Sequence, residues 1–350
     1  MKRSRLLIAG LASLATAVVP FGVSAHHPPI GVVQNFGPNL SADCPRPEGI
    51  AVDPSGRLYT SSIPLAPGPA NICVLNPEGE LIDKISVAPG PGGFTNMAGE
   101  LFEPGRGLYV ADLADDVFVH PSAQNGRLLL VNAGSHKVTT LADGFTLPNG
   151  IAQDREGDLF VSDSVPGQIF KLTRDGLTKR VWSADALLTN HHPFPIGANG
   201  IAFDRGQRFL YVSNTADNRI IRIPVGEDGS AGAAEVFADG ATLDSAQNAT
   251  NSLLTPDGIM FDVKGDLYIC ANTANEVQVL SPNGTRLIAR YKGTGANAID
   301  QAASLVFRNR TLYVTSLSLA DGGINSKVSK VGVPFKGLPI TFPDDEDVER

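Results

Sequence analysis

Four residues with oxygen-bearing side chains each stand immediately before a glycine, at recurring intervals along the chain. They are Glu48, Asn149, Asn199 and Asp257, two carboxylates and two amides. Carboxylate and amide oxygens are the ligands that Ca²⁺ and similar hard cations prefer, with water completing about six to eight contacts. If the fold brings these side chains together, the sequence predicts a divalent-cation site.

The elements that must position these residues are copies of one sequence pattern, a short strand, a Gly-bearing turn and a Leu-Tyr-Val strand. Measured from the residue before the glycine (Ala303 in the last copy), successive copies lie 50, 51, 50, 58 and 46 residues apart. A period near 50 residues with this content is typical of a β-propeller with one four-stranded blade per repeat. Six copies predict an all-β, six-bladed β-propeller of antiparallel strands. The copies span 47–62, 98–112, 147–164, 198–215, 255–272 and 303–316.

Inner strands of a propeller begin around a central channel, so the residues before the glycines are predicted to form a ring there. Asn-Gly and Asp-Gly are also common turn dipeptides, and an alternative interpretation is turn chemistry without a metal. Glu48 argues against it, because glutamate is not a turn residue yet occupies the same position. Ala98 and Ala303 show that the turn does not demand a polar residue. Two like charges at the mouth of a channel also need a cation.

Composition agrees with one closed β domain and excludes some partners. The 350 residues include 37 glycines and 25 prolines, a content natural for a turn-rich all-β protein. The net charge of −8 argues against nucleic acid or an anionic membrane as partner. A small-molecule substrate and a monomer are expected.

The N-terminus has the pattern of a secretory signal peptide. A basic start, Met1 to Arg5, precedes the apolar run 6–19, and Val23-Ser-Ala25 fits a cleavage site. We therefore expect export to the periplasm or the medium, with a signal peptide over 1–25, the propeller over 26–334 and a C-terminal tail over 335–350. The segment 30–36 is predicted to be the outermost strand of the last blade, which closes the ring and hides its edge strands.

Three cysteines are an odd number for an exported protein. Cys44 and Cys73 both fall in the region of the first blade and either pair or remain free, and the sequence does not decide between these. Cys270 lies in a predicted strand and is expected to be a buried thiol.

With these repeats the chain resembles the SMP-30/gluconolactonase/LRE-like family of six-bladed propellers, whose relatives include paraoxonases, diisopropylfluorophosphatase and NHL-repeat propellers. Asn199-Gly-Ile and Pro256-Asp-Gly-Ile match the family pattern closely. The resemblance implies that Glu48, Asn149, Asn199 and Asp257 hold a catalytic Ca²⁺, or Zn²⁺, Mn²⁺ or Mg²⁺ in its place. It also implies hydrolysis of a lactone or related ester.

The chain departs from its relatives at the second blade. Paraoxonases carry a catalytic histidine at the start of that inner strand, where this chain has Ala98. Gluconolactonases place an arginine and an asparagine just before it to hold the sugar. Here Asn96 is one position off and the arginine is missing, so the resemblance does not extend to sugar-lactone specificity.

The predicted reaction needs an electrophile activator and a base. A cation open to a pocket would polarise the lactone carbonyl and stabilise the developing oxyanion, an effect worth several kcal/mol. Asp257 is one candidate base, because the matching aspartate of relatives is proposed as base or nucleophile. His191 and His192 are the other candidates, because they lie in the long connection 181–198 on the face where inner strands begin. This connection and 239–255 are predicted to bound the pocket.

Two other functional classes remain open. One is a non-catalytic NHL-like propeller that binds a protein or glycan and holds a structural metal. The other is a strictosidine-synthase-like or lyase propeller, which would need a glutamate in the pocket, and the sequence offers no clear candidate for it. A metal with open coordination distinguishes a hydrolase from a binding module.

Overall fold

The computed structural model describes residues 28–116, 119–192 and 196–340. Within these residues the strands form six antiparallel sheets of four strands, and the innermost strand of each sheet contacts those of the two neighbouring sheets. The predicted six-bladed β-propeller is confirmed. The predicted signal peptide over 1–25 lies outside the described residues.

The blades follow one another along the chain, and the strands of the first five run from the axis outward in chain order. Blade 1 comprises β2 (Pro47–Val52), β3 (Leu58–Ser62), β4 (Ala70–Leu75) and β5 (Leu81–Val87). Blade 2 comprises β6 (Met97–Glu103), β7 (Gly107–Asp112), β8 (Gly126–Asn132) and β9 (Lys137–Phe145). Blade 3 comprises β10 (Pro148–Gln153), β11 (Leu159–Asp163), β12 (Gln168–Leu172) and β13 (Lys179–Ser183).

The second half of the ring repeats this order. Blade 4 comprises β14 (Ala198–Phe203), β15 (Phe209–Asn214), β16 (Arg219–Pro224) and β17 (Glu235–Asp239). Blade 5 comprises β18 (Pro256–Phe261), β19 (Leu267–Ala271), β20 (Glu276–Leu280) and β21 (Leu287–Tyr291). Blade 6 comprises β22 (Ala302–Arg308), β23 (Thr311–Ser316), β24 (Lys327–Gly332) and the N-terminal β1 (Val33–Phe36).

The ring closes between the two ends of the chain. β1 pairs antiparallel with β24, from Val33 opposite Val331 to Phe36 opposite Val328. The predicted closure by the N-terminal strand is therefore confirmed. Cys44 and Cys73 form a disulfide in blade 1, and Cys270 is a buried free thiol.

In four of the six blades, the turn at the far end of the inner strand is built on an aspartate of the repeat: Asp53, Asp154, Asp204 and Asp262. In blade 1 the Asp53 carbonyl accepts from the Gly56 N–H, and the Asp53 carboxylate accepts from the Arg57 N–H. Gly56 adopts φ 85°, a conformation that glycine reaches without strain. Asp154, with Gly157 and Asp158, repeats this arrangement in blade 3.

The hydrophobic core lies between blades rather than in one centre. Each cluster of buried residues joins two neighbouring blades, and the sixth joins blade 6 to blade 1. The largest side chains of this core come from the aromatic position in the second strand of the repeat. Examples are Tyr59, Tyr109 and Tyr268, all 2% exposed or less. The Leu-Tyr pattern of the repeat therefore reflects packing between blades.

Two connections leave the blade pattern. Helix α1 (Gly240–Gln247) follows β17 and is capped by the Asp239 carboxylate, which accepts from the Thr242 N–H at 3.0 Å. After β24, the chain crosses the face on which the inner strands end. There the Leu338 N–H donates to the Phe261 carbonyl, and the Gly337 N–H donates to the Asn309 carbonyl. The first residues of the predicted tail therefore pack on the propeller.

None of the helices in the described ranges is long and apolar enough to cross a membrane.

Candidate metal centre at the propeller axis

Every inner strand opens with a bulge that takes the residue before the glycine out of the sheet ladder. In β2 the residues Glu48 and Gly49 together oppose the single residue Ser61. The same register shift follows the first residue of the other five inner strands. A bulge re-aims a side chain that a regular strand would direct to one face of the sheet. We call the six residues at these bulges the axial ring: Glu48, Ala98, Asn149, Asn199, Asp257 and Ala303.

The glycine of the first five repeats allows the next blade to approach closely. A Cβ on Gly200 would stand 2.4 Å from the carbonyl oxygen of Asp257, and one on Gly150 would stand 2.6 Å from that of Asn199. Such distances are far below van der Waals contact, so any side chain would push the blades apart. The glycine is therefore required for packing of the axial ring and not only for a turn.

Hydroxyl groups of the second strands donate hydrogen bonds to the backbone carbonyls of axial-ring residues in the next blade. Ser213 donates to the Asp257 carbonyl at 2.6 Å, and Thr315 donates to the Glu48 carbonyl at 2.7 Å across the closure of the ring. Ser162 donates to the Asn199 carbonyl at 2.6 Å and accepts from the N–H of Gly150 in its own blade. These hydroxyls tie blade 3 to blade 4, blade 4 to blade 5 and blade 6 to blade 1 at the level of the ring. Their role was not predicted from the sequence, although a hydroxyl recurs at this strand position in four of the six repeats.

The four predicted ligands are brought together around the axis and are nearly enclosed. Glu48, Asn149, Asn199 and Asp257 are only 2–7% exposed. The Asn199 amide nitrogen donates to Thr215 Oγ1 at 2.9 Å, which leaves Asn199 Oδ1 as the free end of the side chain. Asn199 Oδ1 and Glu48 Oε2 are buried without a hydrogen-bond partner in the described part of the protein. Buried polar atoms are normally satisfied, so unpartnered oxygens at the axis indicate a missing electropositive group.

The electrostatics of the ring agree with this. Burial raises the pKa of Glu48 well above its ordinary value, and the charges of Asp257 and Glu100 raise it further. Burial also raises the pKa of Asp257, although interactions with Asn199, Asn272 and the Gly258 N–H act in the opposite direction. Two desolvated carboxylates disfavour each other's ionised form until a cation compensates them. The two carboxylates and two amides fit a hard divalent cation by charge and donor type.

No group of three His, Cys, Asp or Glu side chains within the described ranges is arranged to hold a metal. This agrees with a donor set in which half of the side chains are amides. The axial ring is therefore a candidate centre built from mixed carboxylate and amide donors.

Asn272 supports the ring, which the sequence did not predict. Its amide donates to Asp257 Oδ2 at 3.3 Å and to the Ala302 carbonyl at 3.1 Å, so it bridges blades 5 and 6. Asn96 is engaged elsewhere, because its side chain accepts from the Leu65 N–H and donates to the Asp115 carbonyl.

A third carboxylate near the axis was also missed. Glu100 lies two residues after Ala98, and both of its carboxylate oxygens are buried without a partner among the described residues. Burial raises the pKa of Glu100 well above its ordinary value. Comparing the repeats at this position would have singled it out, because the other five blades carry an aliphatic residue there. These residues are Ile50, Ile151, Ile201, Ile259 and Leu305.

An axial cavity of about 500 Å³ runs along the inner strands. Asn149, Asn199 and Asp257 line one end of it, whereas Arg155 and Arg205, in the turns that end β10 and β14, line the other. The backbone segment 338–340 also borders it. None of its lining residues comes from 181–192, 196–198 or 239–255, so this cavity is bounded by the inner strands and not by the two loops that we expected to form the pocket.

His191 and His192 do not line the axial cavity. They border a separate cavity of about 260 Å³ together with Leu187, Asp217 and Arg219. His191 Nδ1 lies 2.6 Å from Asp217 Oδ2, and the His191 N–H donates to Asp217 Oδ1 at 3.1 Å. His192 Nε2 lies 3.9 Å from the same carboxylate. We call these residues the His191–Asp217 cluster, and the catalytic role predicted for its histidines stays a prediction.

Comparisons with known proteins agree with the fold. A family model described as "SMP-30/Gluconolactonase/LRE-like region" matches residues 182–318, and one described as "Strictosidine synthase-like, N-terminal" matches the short segment 45–63. No curated protein matches the sequence.

Solved structures match over most of their length. A luciferin-regenerating enzyme is 16% identical, with a TM-score of 0.63 and coverage of 89% of this chain and 98% of its own. The calcium-binding protein regucalcin from Agrobacterium tumefaciens is 17% identical, with a TM-score of 0.59 and coverage of 87% and 95%. A gluconolactonase from Xanthomonas campestris is 16% identical, with a TM-score of 0.58 and coverage of 88% and 97%.

At these identities the solved structures establish the six-bladed fold alone, and the family model adds the assignment of the region that it matches. The resemblance predicted from the repeats is confirmed: the protein is a six-bladed β-propeller with an SMP-30/gluconolactonase/LRE-like region over residues 182–318.

Proposed function

We propose that this protein is an exported hydrolase of a lactone or related ester that depends on a divalent cation of the Ca²⁺ type. Glu48, Asn149, Asn199 and Asp257 would hold the cation. The observation that carries the proposal is the convergence of two buried carboxylates and two amides on the axis, with Glu48 Oε2 and Asn199 Oδ1 unpartnered. The gluconolactonase and regucalcin neighbours support the same class of function.

The bound cation would supply Lewis-acid polarisation of the substrate carbonyl. The protein's own residues would position the reacting groups. Asn272 orients the Asp257 carboxylate through its amide hydrogen bond, and Ser213 fixes the backbone of Asp257 from the neighbouring blade. Asp257 is then the candidate that takes a proton from the attacking water.

His191 is the alternative base. Asp217 accepts from its Nδ1 side, which would leave Nε2 to accept a proton from water. The His191 side chain is 53% exposed and lies outside the axial cavity, so Asp257 is preferred.

One observation favours a second function, a binding propeller with a structural cation. The ligand side chains are nearly inaccessible, as in a closed metal site, whereas a catalytic metal keeps a position open for substrate. The two functions differ in whether removal of the metal abolishes turnover.

The test is hydrolysis of a panel of aliphatic and sugar lactones and aryl esters by the purified protein, before and after treatment with EDTA. We expect activity on at least one substrate, loss of activity with EDTA and recovery on addition of Ca²⁺, Mn²⁺, Zn²⁺ or Mg²⁺. Activity that survives removal of the metal, or no activity on any substrate with metal bound, would overturn the proposed hydrolase.

A further inference from the structure

Two arginines from neighbouring blades line the end of the axial cavity that lies opposite the axial ring. Arg155 and Arg205 each occupy the fifth position after the glycine of their repeat, in the turns that follow β10 and β14. Both line the cavity, and both are exposed. We call this end of the cavity the arginine mouth. The other four blades carry uncharged residues at the same position: Pro54, Pro104, Val263 and Asn309.

Hydrogen bonds between the two turns hold the arginine mouth together. The Arg155 N–H donates to Gln207 Oε1 at 2.9 Å, and Arg155 Nη2 donates to the Arg205 carbonyl at 2.9 Å. The turn of blade 3 is thereby tied to the turn of blade 4, and both side chains border the same cavity. The two guanidinium groups therefore act as one positively charged feature rather than as two unrelated surface charges.

The protein does not neutralise these two charges. In the described ranges neither guanidinium has a carboxylate within ion-pair distance. Asp154 pairs instead with Lys171 at 2.9 Å, and Asp204 Oδ1 accepts from two backbone N–H groups of its own turn. By contrast, Arg57 in the turn of blade 1 pairs with Asp53 at 2.7 Å. Two neighbouring cations without a counterion favour the binding of an anion.

Between the arginine mouth and the axial ring, the walls of the cavity are mainly hydrocarbon. The volume of about 500 Å³ is within the range of sites for small organic ligands. Phe203, Met260 and Phe261 are among the larger lining side chains. Asn199 and Arg205 are six residues apart, about 20 Å along an extended strand at about 3.3 Å per residue. A molecule held at the mouth can therefore lie along these walls without reaching the ring.

The charged mouth and the apolar walls together define the class of ligand. A guanidinium presents its N–H groups in a planar fork that matches a carboxylate, and charge-assisted hydrogen bonds are stronger than neutral ones. A small inorganic anion would leave the hydrocarbon walls uncovered, and an amine would be repelled at the mouth. A carboxylate with an apolar body meets both conditions, because burial of its hydrocarbon is itself favourable.

We propose that the axial cavity binds a carboxylate with an apolar body, which enters at the arginine mouth and accepts hydrogen bonds from Arg155 and Arg205. Its hydrocarbon part lies against the inner strands. This site is separate from the cation proposed for the axial ring, and it does not rest on the proposed hydrolase activity.

The test is calorimetric titration of the full-length protein with octanoate, and 1-octanol and octylamine serve as matched compounds of the same chain length. Octanoate should bind in preference to both. Arg155→Gln/Arg205→Gln removes the two charges from exposed turns, and we expect it to weaken octanoate binding about tenfold or more, with octanol binding unchanged. Acetate carries the same carboxylate without the apolar body and should bind about a hundredfold more weakly than octanoate.

Arg180→Gln, at an exposed position of the outer strand β13, is the control for loss of an arginine and should bind octanoate as the wild type does. Equal binding of octanoate by the wild type and Arg155→Gln/Arg205→Gln would overturn the proposal. Equal binding of acetate and octanoate would also overturn it, because the cavity would then contribute nothing. So would a wild type that binds none of these compounds.

A further variant tests whether the chain's own carboxylates occupy the arginine mouth. The four acidic residues 344–347 lie outside the described residues and follow Ile340, which borders the cavity. When all four are converted to their amides, octanoate should bind as it does to the wild type. Binding of octanoate by this variant alone would assign the two arginines to the C-terminal carboxylates and contradict the proposal.

Discussion

The axial ring and the His191–Asp217 cluster both gather polar side chains on the face where inner strands begin, but they differ in how those side chains are satisfied. In the ring, buried oxygens of Glu48 and Asn199 lack partners. In the cluster, Asp217 accepts two hydrogen bonds from His191, and both histidines are more than half exposed. Side chains that satisfy each other in solvent restrain a loop. Buried oxygens left unsatisfied by the protein indicate a ligand, and the comparison therefore favours the ring over the cluster as the site of the proposed cation.

The largest effect is expected from Asp257→Asn, which removes one of the two ring carboxylates and the preferred base. We expect hydrolysis of the best lactone substrate to fall by about a thousandfold or more, measured as kcat/KM. Glu78→Gln is the matched exposed control and should keep wild-type activity. A loss of less than about tenfold in kcat/KM would show that Asp257 is not the base. It would also weaken the functional contrast between the axial ring and the His191–Asp217 cluster.

Gly200→Ala tests the packing that forms the ring. Its Cβ would stand 2.4 Å from a backbone carbonyl that cannot move freely, so we expect a loss of about 3 kcal/mol in the free energy of unfolding. Gly206→Ala is the control, because the nearest atoms there belong to the flexible side chain of Arg208 at 3.3 Å or beyond. Equal denaturant midpoints for the two variants would show that the close approach of blades 4 and 5 is not required.

The pH dependence of stability reports on the ring carboxylates in metal-free protein. Burial raises the pKa of Glu48 and Asp257 above the value of about 4 that carboxyl groups have in unfolded chains. The folded state therefore binds more protons than the unfolded state between these values. Stability of the metal-free protein should fall as pH rises from about 4 through the raised pKa values.

Urea unfolding in EDTA between pH 5 and 8 measures the slope of the free energy of unfolding against pH. Glu48→Gln/Asp257→Asn should make it shallower, because two groups with raised pKa values are removed while Glu100 remains, and Ca²⁺ should reverse it in the wild type. If the double variant keeps the full wild-type slope, the pH dependence of stability arises from groups outside the ring.

Ser213→Ala tests one hydroxyl between blades. Removal of its hydrogen bond to the Asp257 carbonyl should cost about 1 kcal/mol in urea unfolding, with little change in the shape of the core. The natural Ala111 at the matching position of blade 2 shows that the backbone accepts alanine there. An unchanged unfolding midpoint would mean that this hydroxyl does not hold the ring.

The smallest effect is expected in the cluster. His191→Ala should lower kcat/KM by less than about threefold, because Asp217 orients a loop side chain that lies outside the axial cavity. A loss as large as that of Asp257→Asn would make His191 the base and reverse the assignment.

The ring could be predicted because the repeat period is a property of the sequence. Because Glu48, Asn149, Asn199 and Asp257 occupy the same position of the repeat, a closed propeller must bring them together, whatever the details of packing. The closing strand 30–36 followed from the same logic, since an open ring would expose two strand edges.

Other features depend on three-dimensional packing that the period does not encode. The loops 181–198 and 239–255 are long in the sequence, but the cavity of about 500 Å³ arises where inner strands fail to meet along the axis. Asn272 is held against Asp257 by a second hydrogen bond, to the Ala302 carbonyl at the start of the inner strand of the next blade. Glu100 and Ser213 could have been found by comparing the six copies position by position. Glu100 departs from the aliphatic residues of the other copies, whereas the hydroxyl of Ser213 recurs in other copies.

The most direct test of the metal centre is the metal content of the purified protein, measured by mass spectrometry for the wild type and for Glu48→Gln/Asp257→Asn. Both proteins should show the circular dichroism spectrum of a folded β protein. The account predicts about one divalent cation per chain in the wild type and none in the double variant. No cation in the wild type, or equal content in two folded proteins, would contradict the assignment of the axial ring.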